Sequence, residues 1–159
     1  MSKHFITLKV NGKEYNIYVN SDDRLIDVLR DKLGLKSVKE GCGTGDCGLC
    51  TVLVNGVPVL SCLMLAVQAR NKEILTLEGL GSEEKLHPIQ EAFREAHAVQ
   101  CGFCTPAMIL IAKALLDKNR NPSYDEIREA ISGTLCRCTG YYNIVEAIKL
   151  ASERMKNEG

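Results

Sequence analysis

Residues 41–50 read Gly-Cys-Gly-Thr-Gly-Asp-Cys-Gly-Leu-Cys, and we start from this stretch because it holds three thiols and four glycines within ten positions. Thiols at close spacing in a protein of a reducing compartment are typical of metal or redox sites. Glycine adds no side chain, so backbone N–H groups in such a stretch can approach a bound anionic group closely. The glycines predicted to lie around that group are Gly41, Gly43, Gly45 and Gly48.

The spacing Cys42-x4-Cys47-x2-Cys50 is typical of the loop that holds a plant-type [2Fe-2S] cluster. Cys62, which follows a predicted hairpin, is expected to supply the fourth thiolate. Four thiolates can also hold a structural zinc ion, but zinc sites usually pair two short Cys-x2-Cys units. The formal match of residues 43–48 to a dinucleotide-binding fingerprint is rejected, because the stretch neither follows a clear strand nor opens a helix. The pattern therefore favours iron and sulfide over zinc.

The other four cysteines form a second group with a different spacing. Residues 100–106 read Gln-Cys-Gly-Phe-Cys-Thr-Pro, and residues 136–140 read Cys-Arg-Cys-Thr-Gly. Each pair precedes a predicted helix, whose free N–H groups and dipole suit an anionic cluster. A zinc site remains open for this group taken alone, whereas a thioredoxin-like pair lacks its βαβ context. The ligands predicted for this second site are Cys101, Cys104, Cys136 and Cys138.

The composition narrows the class of protein. The chain has 159 residues, eight cysteines, no Trp, 5% aromatic residues and a formal net charge of zero. Little stacking surface and no basic excess predict no nucleic-acid partner, and the longest apolar stretch, near residues 107–116, is too short for a membrane span. Residues 1–10 alternate as a strand does and show no signal peptide, so we expect a cytoplasmic protein rather than a secreted one with four disulfides.

The first half of the chain predicts a small α+β domain over residues 1–78. Alternating apolar residues flank Asn11-Gly12 and again Asn55-Gly56, and Asn-Gly between such runs is a strong hairpin signal. A helical stripe follows the first hairpin over residues 25–33, with Ser21 or Asp22 as its predicted cap and Gly34 at its end. A last short strand is predicted at residues 74–77.

The second half predicts an all-α domain over residues 87–159, after a linker at residues 79–86. Thr105 is predicted to cap a helix with Pro106 at its first position, and the apolar run at residues 108–116 predicts a central helix. Ser123 and Glu126 form a capping-box pattern for the next helix. A last helix is predicted at residues 142–156, and Tyr141 and Tyr142 beside its start are interpreted as core or subunit-contact residues.

Both cysteine groups together resemble the small iron–sulfur subunit of the molybdenum hydroxylase family, which includes xanthine dehydrogenase, aldehyde oxidoreductase, carbon monoxide dehydrogenase and nicotinate dehydrogenase. The resemblance covers essentially the whole chain and rests on residues 40–50, Cys62, residues 100–106 and residues 135–141. The family often has Glu, Ala and Gly where this chain has Asp46, Leu49 and Ala107. None of the three is a ligand, but Leu49 and Ala107 are expected to alter packing near each site.

The resemblance implies a β-grasp, plant-type ferredoxin-like first domain and a four-helix second domain, each with one [2Fe-2S] cluster. It also implies that Gln100 and Cys138 lie beside a molybdopterin cofactor in a large partner subunit, and that FAD is bound by a medium partner subunit. The expected function is electron transfer between these two sites in a dehydrogenase that hydroxylates xanthine or another N-heterocycle, an aldehyde or carbon monoxide. The alternatives are a zinc-binding structural module and a free-standing two-cluster ferredoxin.

Overall fold

A computed structural model of the chain describes residues 2–82 and 84–157. Its first half contains a five-stranded sheet in the order β2-β1-β5-β3-β4. Strand β5 is parallel to β1 and antiparallel to β3, and the other neighbours are antiparallel. The sheet confirms the predicted β-grasp domain. The strands are β1 (Lys3–Val10), β2 (Lys13–Asn20), β3 (Thr51–Val54), β4 (Val57–Leu60) and β5 (Glu73–Leu75).

Both predicted Asn-Gly hairpins are confirmed. The turn residues have positive φ angles, 52° at Asn11 and 75° at Gly12, and 51° at Asn55 and 76° at Gly56. Such turns match the twist of the two strands they join. The last strand ends earlier than predicted, because the chain turns into a 3₁₀ helix at Leu77–Gly79.

The helix predicted after the first hairpin is present but short. It begins as one α-helical turn, α1 (Leu25–Asp27), and continues as a π-helical segment, Val28–Lys32. Its apolar side chains, Leu25, Ile26, Val28 and Leu29, are fully buried in the core between helix and sheet. The predicted stop is also confirmed, since Gly34 has a φ of 74°.

The predicted cap of this helix is wrong. Neither Ser21 nor Asp22 lies at the helix start, which follows Arg24 and has no side-chain cap. The first two N–H groups of the helix instead donate to the carbonyl oxygens of Met64, at 2.7 Å, and Ser61, at 3.1 Å. A distant backbone segment therefore satisfies the donors that a local cap would satisfy.

The second half forms the predicted bundle of four helices. The helix at residues 105–118 is central to this bundle, with nine of its 14 residues buried. The Ser123–Glu126 capping box is confirmed, because the N–H of each residue donates to the side chain of the other, at 2.7 and 3.2 Å. The helices are α2 (Pro88–Glu95), α3 (Thr105–Lys118), α4 (Tyr124–Ile131) and α5 (Tyr142–Asn157).

The predicted role of Thr105 as a cap is wrong, because Thr105 is the first residue of α3. The residue before it, Cys104, already has a helical conformation, and its carbonyl accepts the N–H of Met108 at 3.1 Å. Gly102, with a φ of 80°, turns the chain so that the N–H of Thr105 donates to its carbonyl. The helix therefore starts one residue earlier and places Pro106 at its second position.

The two halves pack directly on each other. Leu53 of β3 is buried against Leu110 and Ala114 of α3. The predicted linker at residues 79–86 contains a turn in which the N–H of Ser82 donates to the carbonyl of Lys85 at 3.0 Å. Residue 83 of the linker and residues 1, 158 and 159 of the predicted domains lie outside the described residues, and these domain bounds stay predictions. Within the described ranges, no helix is long and apolar enough to cross a membrane.

Candidate metal centres

The first group of cysteines lies where an irregular loop meets the sheet. Cys42, Cys47 and Cys50 belong to the loop between the π-helical segment and β3, and Cys62 belongs to the turn after β4. The hydroxyl of Ser61 donates to the carbonyl of Cys50 at 2.7 Å and ties the turn to the loop. Cys42 is exposed, whereas the other three thiols are buried. The fold therefore brings together the four residues predicted for the first site.

Hydrogen bonds and burial shift the pKa values of two of these thiols in opposite directions. The N–H of Cys42 donates to Sγ of Cys47, and the N–H of Thr44 donates to Sγ of Cys42, both at 3.4 Å. Hydrogen bonds from Thr44 lower the pKa of the Cys42 thiol to about 6. Burial, followed by the neighbouring Cys50 thiol, raises the pKa of Cys62 to about 11. The N–H donors in the loop stabilise sulfur in its thiolate form, which is the form that binds metal.

The four predicted glycines lie within this loop, and at three of them a Cβ atom would lie less than 3.0 Å from another atom; at Gly45 that atom is the end of the Leu63 side chain. A Cβ atom at Gly41 would lie 2.8 Å from Sγ of Cys47. At Gly48, which has a φ of 70°, a Cβ atom would lie 2.2 Å from the carbonyl oxygen of Gly133. Because Gly41 has no side chain, its backbone can lie close to the Cys47 thiol. Because Gly48 has none, the loop can touch the helical half. Gly43 and Gly45 also have positive φ angles, of 69° and 90°.

The second group of cysteines comes from two segments of the helical half. Cys104 is buried, Cys136 is partly buried, and Cys101 and Cys138 are exposed. Burial, followed by the Cys136 thiol, raises the pKa of Cys104 to about 12. The hydrogen bond between the Cys101 and Cys138 side chains raises the pKa of Cys138. The four thiols predicted for the second site therefore also lie together.

Two side chains that the sequence analysis did not place at a site hold the segment around Cys136. The hydroxyl of Tyr141 accepts the N–H of Cys136 at 2.9 Å, and the hydroxyl of Thr139 lies 3.0 Å from Sγ of Cys136. Burial acts to raise the pKa of the Cys136 thiol, but hydrogen bonds from Thr139 outweigh it and lower that pKa. The sequence predicts Tyr141 to be a core or subunit-contact residue. Its ring does pack on the bundle core, and its hydroxyl has this additional contact. The signal available in the sequence was the Thr-Gly-Tyr run that directly follows Cys138.

A backbone hydrogen bond joins the two groups. The N–H of Leu135 donates to the carbonyl of Cys47 at 2.9 Å, so a residue next to Cys136 bonds directly to a residue of the first site. Leu49, which departs from the family pattern, packs against the core of the helical half. The loop of residues 47–49, which carries one thiol of the first set, therefore contacts the helical half beside the second set. Gln100 lies next to Cys101 and is exposed at the surface of the helical half.

The donor sets fit two-iron clusters. Each set offers four cysteines, the number that a [2Fe-2S] cluster takes, and the thiols lie in contacting pairs. Thiols in pairs suit two adjacent irons, each of which takes two of them. The pairs are Cys42 with Cys47, Cys50 with Cys62, Cys101 with Cys138, and Cys104 with Cys136.

Comparison with known protein families agrees with this chemistry. Residues 8–75 match the 2Fe-2S iron-sulfur cluster binding domain family. Residues 76–149 match a second family, the [2Fe-2S] binding domain. One iron–sulfur family therefore covers the sheet half and another covers most of the helical half.

Relatives of known function cover the whole chain. The nicotinate dehydrogenase small FeS subunit of Eubacterium barkeri is 54% identical over 99% of this chain and 100% of its own length. A chain in the crystal structure of quinoline 2-oxidoreductase from Pseudomonas putida 86 is 46% identical, with a TM-score of 0.93, and the match covers 98% of this chain and 97% of that one.

A longer relative contains the same fold as one part of its chain. The aldehyde oxidoreductase of Desulfovibrio desulfuricans is 44% identical, with a TM-score of 0.94, over 99% of this chain but only 18% of that chain. The same two-part unit thus occurs both as a separate subunit and as a segment of a larger oxidoreductase. Fold, thiol sets and relatives agree: the chain belongs to the family of small iron–sulfur subunits of molybdenum hydroxylases.

Proposed function

We propose that this chain transfers electrons, one at a time, between a molybdopterin site in a large partner subunit and FAD in a medium partner subunit. The observation that carries the proposal is the bond from the Leu135 N–H to the Cys47 carbonyl, which directly connects the two thiol sets. Each set also has at least one thiol at the surface, Cys42 in the first and Cys101 and Cys138 in the second. Electrons can thus enter at one set, cross the connection and leave at the other.

In this proposal the eight cysteines hold two clusters, the first through Cys42, Cys47, Cys50 and Cys62 and the second through Cys101, Cys104, Cys136 and Cys138. A [2Fe-2S] cluster, when bound, accepts and releases a single electron at a potential that hydrogen bonds to sulfur and burial adjust. The chain contributes the thiolates, the N–H donors of the first loop and the hydroxyl of Thr139 beside Cys136. It performs no bond chemistry on the substrate.

The proposed direction follows from the family resemblance, which implies that Gln100 and Cys138 lie beside the molybdopterin cofactor. Gln100 and Cys138 lie at the surface, as contact with a cofactor in a partner subunit requires. We therefore place the second cluster nearest molybdenum and the first nearest the flavin. The pocket for the xanthine, N-heterocycle, aldehyde or carbon monoxide substrate then belongs to another chain. Thiols stay reduced in the cytosol, where structural disulfides are rare, so we also propose a cytoplasmic location.

The test of the two-site assignment uses Cys47→Ala and Cys104→Ala, each serving as the control for the other. In the reduced protein, electron paramagnetic resonance should resolve two signals. Loss of one thiolate removes the cluster it holds, so each variant should lose a different signal and keep the other. Loss of both signals from a folded variant would contradict the assignment. Purification from the native source without molybdenum or flavin partners would favour a free-standing ferredoxin instead.

A further inference from the structure

Arg24 lies between the two segments that carry the thiols of the first set. Its backbone pairs with Leu65 in an isolated antiparallel bridge. The neighbouring N–H of Leu25 donates to the carbonyl of Met64 at 2.7 Å, and the N–H of Ala66 donates to the carbonyl of Asp23 at 2.8 Å. The bonded segment, residues 61–66, contains Cys62. The backbone of Arg24 is therefore fixed to the part of the chain that supplies this thiol.

The side chain of Arg24 reaches the other segment. Nη1 donates to Oε1 of Glu40 at 2.6 Å and Nη2 donates to Oε2 of Glu40 at 3.2 Å. Nε and Nη2 also donate to the carboxylate of Asp27, at 2.8 and 2.7 Å. The planar guanidinium group thus holds two carboxylates at once, which a lysine ammonium cannot do with the same geometry.

The Arg24–Glu40 pair packs on the cluster-binding loop itself. Glu40 lies two residues before Cys42 in the chain. A Cβ atom at Gly43 would lie 3.0 Å from Oε1 of Glu40 and 3.7 Å from Nη1 of Arg24. The ion pair therefore lies against the backbone on both sides of Cys42, the most exposed thiol of the first set.

We propose that Arg24 is a positioning residue for the first cluster: it fixes the loop that carries Cys42 relative to the segment that carries Cys62. The inference rests on the proposed assignment of these two cysteines to one cluster. The Arg24 and Glu40 side chains are 36% and 39% exposed, so water screens their attraction and the effect on the cluster is moderate.

The first test measures how fast a chelator removes iron from the cluster-loaded protein. Arg24→Gln and Glu40→Gln should each speed loss of the first cluster about threefold, as expected for a partly exposed pair, and leave the second cluster unchanged. The double variant should be no faster than either single one, because contacting residues are not additive. Arg154→Gln, which breaks the ion pair between Arg154 and Glu95 in the helical half, is the matched control and should not affect the first cluster.

The second test separates positioning and charge from a general loss of structure. Arg24→Gln removes a positive charge and should lower the reduction potential of the first cluster, whereas Glu40→Gln should raise it. Arg24→Lys keeps the charge but not the two-carboxylate geometry, so its potential should stay near that of the unchanged protein while iron release is still faster. Unchanged release in all three variants, or potential shifts of the same sign in both glutamine variants, would overturn the inference. If Cys62→Ala left the first signal intact, the cysteine assignment would be wrong instead.

Discussion

The two thiol sets are held in different ways. In the first set the chain uses backbone: N–H groups point at sulfur, and Gly41 and Gly48 leave space where a Cβ atom would collide. In the second set it uses side chains, the hydroxyls of Thr139 and Tyr141. Added atoms should therefore damage the first site, whereas removal of a hydroxyl should damage the second.

The sets also differ in exposure. Three of the four thiols are buried in the first set, but only Cys104 is buried in the second. Exposed apolar side chains lie beside both sets, with Leu63 at 60% next to Cys62, and Phe103 at 44% and Leu135 at 55% next to the second set. The two sets therefore differ in how many of their thiols are exposed, one in the first and two in the second.

The largest expected effect comes from adding one methyl group at Gly48. Gly48→Ala would bring Cβ within 2.2 Å of the Gly133 carbonyl in a left-handed conformation, and we expect the free energy of unfolding to fall by about 3 kcal/mol or more. Denaturant titration measures this change. Gly56→Ala is the control, because Gly56 has a similar φ of 76° but open space around it, and should cost about 1–2 kcal/mol. An equal fall in the free energy of unfolding in the two variants would show that the contact between Gly48 and Gly133 adds nothing to the cost.

A smaller effect is expected at the second site from removing one hydroxyl. Tyr141→Phe leaves the N–H of Cys136 without its acceptor, which should cost about 1 kcal/mol and speed iron loss from the second cluster alone. Tyr142→Phe is the control, because Tyr142 is 71% exposed. Faster loss from the first cluster in Tyr141→Phe would contradict the proposed division of roles.

The smallest expected effect is a change in how the free energy of unfolding depends on pH. It concerns Glu78, which binds Ser37 just before the first cysteine loop. Burial acts to raise the pKa of Glu78, but hydrogen bonds from Ser37 and Thr76 outweigh it and lower that pKa below 4.5. The stabilisation by this carboxylate is therefore complete above its ordinary pKa and is lost as the pH falls through the lowered value. Glu78→Gln should flatten the acid side of the plot of unfolding free energy against pH. An unchanged acid slope would show that Glu78 does not support this segment.

Local patterns predicted those parts of the fold whose causes are local. The Asn-Gly turns need positive φ angles that few other residues tolerate, and the Ser123–Glu126 box satisfies its own donors, so both could be read from a few residues. The spacing of Cys42, Cys47 and Cys50 is informative for the same reason.

Contacts between distant segments could not be predicted. The caps proposed at Ser21 or Asp22 and at Thr105 are wrong because the backbone of other segments or turns satisfies those helix starts. The bond from Leu135 to Cys47 depends on how the two halves pack, and no local pattern specifies it. The role of the Tyr141 hydroxyl likewise depends on the shape of the segment around Cys136.

The central claim is that each half of the chain holds one two-iron cluster. Iron and acid-labile sulfide analysis of the purified protein, combined with electron paramagnetic resonance after reduction, tests it most directly. The account predicts two irons and two sulfides for each set of four thiols and two separate signals in the reduced protein. A colourless protein with about one zinc ion per set and no labile sulfide would contradict it.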